Sequence, residues 1–263
     1  MKYFFNQDIN ELIKTKKRIF LFLDYDGTLT PIVKNPYQAH LCPDIKKLLK
    51  KLSQNKNIVI GIISGRELSD VKKRVGINNL LYSGNHGLEL YYKGKETLTE
   101  ELDYKRYLRL LNPAKKELKK SLGHIEGVVF EDKRIIFAVH YRKIELKKAA
   151  AVKAIFKKTI TPFLKDKKLK VSTGKRVLEL RPNISCNKAD AVHFFQNRLK
   201  KTGDEITIFI GDDLTDEDVF KKLKKPNLGI RIGRKSNSQA QYFLKNPQEI
   251  KQFLKTLKLK FTK

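Results

Sequence analysis

The sequence predicts an α/β protein: a doubly wound, Rossmann-like core on a parallel sheet, with an α+β unit inserted into it. Three observations predict it. The apolar runs "RIFLFLDYDG" (18–27), "NIVIGIISGR" (57–66) and "EITIFIGDD" (205–213) lack polar alternation, as central parallel strands covered on both faces require. Amphipathic helical stretches lie between such runs. The middle of the chain changes to paired strands with helices of its own.

In chain order, the first run stops abruptly at Asp24, and "PDIKKLLKKLSQNK" (43–56) follows as a helix with one apolar stripe. The second run stops at Ser64. Residues 104–122 read as a Lys-rich helix, and "GVVFE" and "RIIFAVHY" as strands joined at Asp132-Lys133. A helix over 145–163 precedes "LKVST" and "RVLELRP", strands joined at Gly174-Lys175. "KADAVHFFQNRLKK" (188–201) restores the helical pattern, and the third run stops at Asp212. The expected division is a core of residues 1–103 and 183–263 with an insertion at 104–182. Ligands of doubly wound sheets bind beyond the carboxyl ends of the strands, which is where Asp24, Ser64 and Asp212 fall.

Composition bounds the function. A chain of 263 residues that is 40% hydrophobic can bury one large core or two modest ones. No apolar run approaches the roughly 18 residues of a membrane span or a signal-peptide core, so a cytoplasmic protein without membrane contact is expected. Two cysteines, without C-x-x-C or zinc-ligand spacing, suggest neither a disulfide framework nor structural zinc. The formal charge is +29, and residues 104–182 alone carry 23 Lys and Arg against 7 Asp and Glu. Such a charge attracts polyanions in general. The excess is mostly lysine without interleaved aromatics or a helix-turn-helix spacing, so no specific nucleic-acid partner is expected and the chain is taken as a monomer.

"DYDGT" by itself is as good a turn as a site, because Asp and Gly are ordinary turn formers. The second acidic cluster, "GDDLTDED" (211–218), follows another core strand, and helix capping needs only one or two of its five acids. It also lacks the calcium-loop pattern. Carboxylates from neighbouring strand ends repel one another unless a cation lies between them, and an all-oxygen ligand set points to Mg²⁺. Mg²⁺ held by few carboxylates serves phosphate chemistry.

"DYDGT", "SGR", the lysine of "NKADAV" and "GDDLTDED", in this order, resemble the four motifs of the haloacid dehalogenase-like (HAD-like) phosphatases. More narrowly, "LDYDGTLTPI", "NHGLEL", "EDKRIIFAVHYR", "GKRVLELRP" and "GDDLTDEDVF" resemble the trehalose-6-phosphate phosphatase family over about residues 18–233. The resemblance implies a HAD-like core with a cap, and hydrolysis of trehalose 6-phosphate through an aspartyl-phosphate. It makes Asp24 the nucleophile and Asp26 the general acid and base. It gives Ser64 and Lys188 the phosphoryl oxygens. It gives Mg²⁺ to Asp24, the carbonyl of Asp26 and Asp212, with Asp213 and Asp216 in support. Gly65, Arg66 and His86 would lie at the substrate, and Glu131, Lys133, Lys175 and Glu179 of the insertion would read the sugar. Tyr25 should point to the opposite face of its strand, into the core. The rivals are a phosphatase of another sugar or polyol phosphate such as sucrose 6-phosphate, a basic nucleic-acid-binding protein, and a receiver-like phospho-acceptor module, which would need neither Asp26 nor the insertion.

Overall fold

The computed structural model describes all residues except 9, 10, 12, 14, 15, 34, 99–102, 175, 200–202, 262 and 263. The chain divides into two compact units, Met1–Thr99 with Cys186–Lys263, and Glu100–Ser185. Among the described residues no helix is long and apolar enough to cross a membrane.

The first unit is built on β1 (Lys2–Tyr3), β2 (Arg18–Leu23), β3 (Ile58–Ile63), β4 (Leu81–Gly84), β5 (Glu89–Tyr92), β6 (Lys95–Leu98), β11 (Glu205–Gly211), β12 (Leu228–Ile232) and β13 (Tyr242–Leu244). Among the described residues these form one sheet in the order β1-β13-β12-β11-β2-β3-β4-β5-β6. It is parallel from β1 through β4, and β5 and β6 extend it as an antiparallel edge. Strands β2 and β11 are buried along almost their whole length, which is why their sequences carry no alternation. The helices of this unit are α1 (Pro43–Leu52), α2 (Leu68–Val75), α5 (Lys188–Leu199), α6 (Glu217–Lys222) and α7 (Glu249–Phe261). Ile19, Leu21, Leu23 and Tyr25 pack in one core cluster with Ile45, Leu49 and Leu254. Phe20 and Phe22 pack in the other with Val192 and Phe195. Successive residues of β2 thus enter opposite layers. Tyr25 is fully buried, its hydroxyl donating to the Ala39 carbonyl at 3.0 Å.

Register fixes the strand ends. Leu23 lies opposite Ile210 of β11 and opposite Ile62 of β3. Asp212 on one side and Ser64 on the other therefore each stand one residue beyond the level of Asp24.

The second unit is an antiparallel sheet in the order β7 (Val129–Asp132), β8 (Phe137–His140), β10 (Val177–Pro182), β9 (Leu169–Gly174), with α3 (Tyr104–Leu122) and α4 (Leu146–Ile160) packed against each other. Leu111, Ala114, Leu118 and Leu122 of α3 and Ala149, Val152, Phe156 and Ile160 of α4 are buried, the three-and-four spacing of one helical stripe. The first hairpin corrects the expected joint at Asp132-Lys133: Asp132 is the last residue of β7, opposite Phe137, and the loop is Lys133–Ile136. The cause is local. The Asp132 carboxylate accepts the Arg134 N–H at 3.0 Å and the Lys115 ammonium at 2.7 Å, with Arg134 at φ 63°, so the chain turns one step later. In the second hairpin Gly174 is the last residue of β9 and faces Val177 of β10. The expected joint at Gly174-Lys175 is corrected in that Gly174 belongs to the strand, and Arg176 takes the left-handed backbone, φ 61°.

Candidate active site

Asp24 is the first residue after β2, 4% exposed, its N–H donating to the Ile210 carbonyl at 2.9 Å. The Lys188 ammonium, 3% exposed at the start of α5, donates to Asp24 Oδ1 at 2.7 Å and to Asp216 Oδ1 at 2.8 Å. Asp24, Asp212 and Asp216 each present a carboxylate oxygen within 4.8 Å of the others. Two ionised carboxylates at that separation repel by about 3 to 4 kcal/mol at an effective dielectric of about 20, and Lys188 brings one positive charge to three negative ones. Burial pushes the Asp24 carboxyl well above the usual carboxylate range, and Asp216 and Asp212 add to the effect against the pull of Lys188. Burial and Asp216 likewise push Asp212 up to about 6. For Lys188 burial works the other way, but Asp216 and Asp24 outweigh it and hold the ammonium above its ordinary value.

The acidic loop does two tasks at once. Asp216 Oδ2 accepts the N–H groups of Asp212 and Asp213, each at 2.9 Å, while its Oδ1 faces Lys188. Asp213 is exposed and its carboxylate caps the short turn Leu214–Asp216 by accepting the Leu214 N–H at 2.6 Å, so it stands outside the carboxylate cluster. Gly27, at φ +88°, lies so close to Asp212 that a Cβ there would fall 2.2 Å from its carboxylate oxygen. Thr28, which the sequence reading passes over, donates its hydroxyl to Asp212 Oδ1 at 3.2 Å.

Asp26 is engaged elsewhere. Arg66 Nε and Nη2 donate to its two oxygens, each at 2.6 Å, a two-pronged pairing, and Nη1 donates to Asp70 at 2.9 Å. The same guanidinium lies 5.5 Å from the Tyr25 ring centroid. Ser64 is fully buried, and its hydroxyl accepts the Arg66 N–H at 3.1 Å. His86 and Asn85 adopt left-handed backbone, φ 58° and 49°, strain that non-glycine residues keep only where the surroundings enforce it. Here the Asn85 N–H donates to the Arg66 carbonyl at 2.7 Å and the His86 N–H to the Ser64 carbonyl at 3.0 Å. The buried Glu89 carboxylate takes the Asn85 amide and the Leu68 N–H, both at 2.9 Å. The His86 ring lies over Gly65, where a Cβ would approach it to 2.5 Å. "NHGLEL" is thus the clamp that holds the loop carrying Ser64, Gly65 and Arg66.

The second unit holds its own polar cluster. Register places Glu131, Ala138, Glu179 and Ser172 in one row across the four strands, on one face. Lys133 Nζ lies 3.2 Å from Glu179 and 3.7 Å from Glu131, His140 Nε2 is 2.9 Å from Glu131, and the Ser172 hydroxyl donates to Glu179 at 3.1 Å. Lys175 lies outside the described residues. His140 and Ser172 join groups that the sequence reading names; the signal for them is strand parity with Glu131 and Glu179.

The carboxylates of Asp24, Asp212 and Asp216 are hard oxygen donors without histidine or cysteine among them, a set that suits a hard divalent cation. Such a cation at about 100 times its dissociation constant should stabilise the fold by about 2.7 kcal/mol and raise the melting temperature by roughly 5–10 °C. Thermal scans in magnesium and in a chelator test this, and identical melting in both would exclude a cation site here.

Comparison with known proteins gives a consistent picture. The profile of the family described as Trehalose-phosphatase matches residues 22–248. Trehalose-phosphate phosphatase B of Arabidopsis thaliana is 29% identical over 92% of this chain and 66% of its own length. Probable trehalose-phosphate phosphatase G of the same plant is 34% identical over 92% of this chain and 69% of its own. The chain thus spans about two thirds of the length of the curated relatives it matches. Among solved structures, the C-terminal domain of C. albicans trehalose-6-phosphate phosphatase superposes with a TM-score of 0.75 over 94% of each chain at 24% identity, which shows a shared fold.

Proposed function

The chain belongs to the trehalose-phosphatase family, and on that premise we propose that it hydrolyses trehalose 6-phosphate to trehalose and phosphate, with Mg²⁺ at Asp24, Asp212 and Asp216. The observation that carries the reading is the Asp24–Lys188–Asp216 array: a buried carboxylate at a strand end, oriented by a buried ammonium, beside two further carboxylates. When bound, the cation neutralises charge on the phosphoryl group. Asp24 attacks phosphorus, the bond to the sugar oxygen breaks, and the aspartyl-phosphate so formed is hydrolysed by water. Lys188 fixes the plane of the Asp24 carboxylate and adds positive charge next to the incoming phosphate. Ser64, held by the Asn85–His86 clamp, supplies a hydroxyl to the phosphoryl oxygens.

Asp26 protonates the departing sugar oxygen and then takes a proton from the attacking water. Paired with Arg66 in two-pronged fashion, its carboxylate must turn away from that guanidinium to reach the leaving oxygen. A phosphoryl group, competing for the same guanidinium, favours the turn. The segment 104–182 acts as the sugar-selecting cap, with Glu131, Lys133 and Glu179 accepting from and donating to hydroxyls. On this reading Glu131→Ala and Glu179→Ala each lower kcat/KM for trehalose 6-phosphate by about tenfold or more and leave a small aryl phosphate nearly unaffected. Equal kinetics of variants and wild type on the disaccharide would remove these residues from sugar recognition.

The test of the function itself is phosphate release from a panel of sugar phosphates, with and without chelator. Turnover of trehalose 6-phosphate that stops in chelator is the expected result. Preference for sucrose 6-phosphate or a polyol phosphate would overturn the substrate while keeping the chemistry.

A further inference from the structure

The site so far described leaves out one buried cation. Arg231 sits on β12 opposite Gly211, the residue just before Asp212, and is 8% exposed. One guanidinium serves three acceptors there. Nη2 donates to the Asp212 carbonyl, and Nη1 donates to the Asp213 carbonyl at 3.3 Å and to Glu217 Oε1 at 3.1 Å. Glu217, also 8% exposed, fixes the guanidinium in turn, because its other oxygen accepts the Gln239 N–H at 2.9 Å. The acidic loop is therefore held on both sides: Asp216 takes the N–H groups of Asp212 and Asp213, and Arg231 takes their carbonyls.

We infer that Arg231 is the positioning residue of the cation site: it fixes the backbone of Asp212 and so the direction of the Asp212 carboxylate. The inference rests on the reading of Asp24, Asp212 and Asp216 as cation ligands. A planar guanidinium fits this task, since it reaches two consecutive carbonyls and a carboxylate with one fixed fork, where a lysine ammonium keeps the charge and loses the geometry. Position and charge can be told apart because they predict opposite signs. A positive charge near a cation site repels the cation, so loss of the charge alone would tighten binding. Loss of the backbone restraint would weaken it, since a ligand cluster must be pre-ordered to bind well.

The experiment is Mn²⁺ binding without substrate, read from the electron paramagnetic resonance of the free ion, for wild type, Arg231→Lys and Arg231→Met, with melting temperatures of each. The expected result is that both variants bind Mn²⁺ about tenfold more weakly than wild type, while circular dichroism shows both folded. If wild type itself binds no Mn²⁺, the cation reading fails and the inference fails with it. If wild type binds and Arg231→Lys matches it, or Arg231→Met binds more tightly, the cation reading stands and the positioning role falls. Failure of both variants to fold would make Arg231 a determinant of the whole core and would equally overturn a role specific to the site.

Discussion

Asp24→Asn is expected to lower turnover of trehalose 6-phosphate by about 10⁴-fold or more, because an amide keeps the shape of the nucleophile and loses its charge. On the proposed reading the loss should appear in kcat, with substrate binding retained, since the contacts proposed for Ser64, Lys188 and the segment 104–182 remain. The variant should fold at least as well as wild type in the absence of metal. Burial and the neighbouring Asp216 and Asp212 already disfavour the charged form of Asp24, and a neutral isostere removes that repulsion while Lys188 keeps Asp216 as a partner. Kinetics and thermal melting of one preparation read both halves. An Asn variant with more than about a hundredth of wild-type kcat would displace Asp24 from the nucleophile's place.

Asp26→Asn carries the second large effect, and its value lies in its dependence on the leaving group. A sugar alkoxide needs a proton as it departs, and general acid catalysis contributes about 10²- to 10⁴-fold. A nitrophenolate leaves without one. The expected result is that formation of the aspartyl-phosphate slows by that range with trehalose 6-phosphate and by under about tenfold with p-nitrophenyl phosphate, read as the first-turnover burst of nitrophenolate, while its hydrolysis, which needs the same residue as base, slows for both. Equal losses in that first step on both substrates would mean that the substitution acts through Arg66, whose two-pronged pairing with Asp26 it disturbs, and not through protonation of the leaving group.

Much of this was legible in the sequence because parallel central strands leave an unmistakable trace. β2, β3 and β11 are uninterrupted apolar runs, and their polar stops at Asp24, Ser64 and Asp212 mark the ligand end of the sheet. β4 to β6 were not legible: "LYSG", "ELYY" and "KETL" are short and mixed, and β4 and β5 pack against α2. The pairing of Arg66 with Asp26 depends on the register of β2 against β3, which spacing along the chain does not reveal. The joint of the first hairpin moved because Lys115, on a helix well upstream, claims Asp132. Arg231 left one trace that could have been followed. An arginine flanked by isoleucines in "LGIRIG" cannot stay buried without acceptors, and the nearest strand end offers the acidic loop.

Passage of the phosphoryl group through Asp24 is tested by acid quench of a single turnover of trehalose 6-phosphate, with mass spectrometry of the peptide that contains residue 24. The expected result is a transient gain of one phosphoryl group on Asp24, absent from Asp24→Asn and absent when a chelator is present. Turnover of the disaccharide with no phosphopeptide at any time, or with the phosphoryl group on another residue, would contradict it.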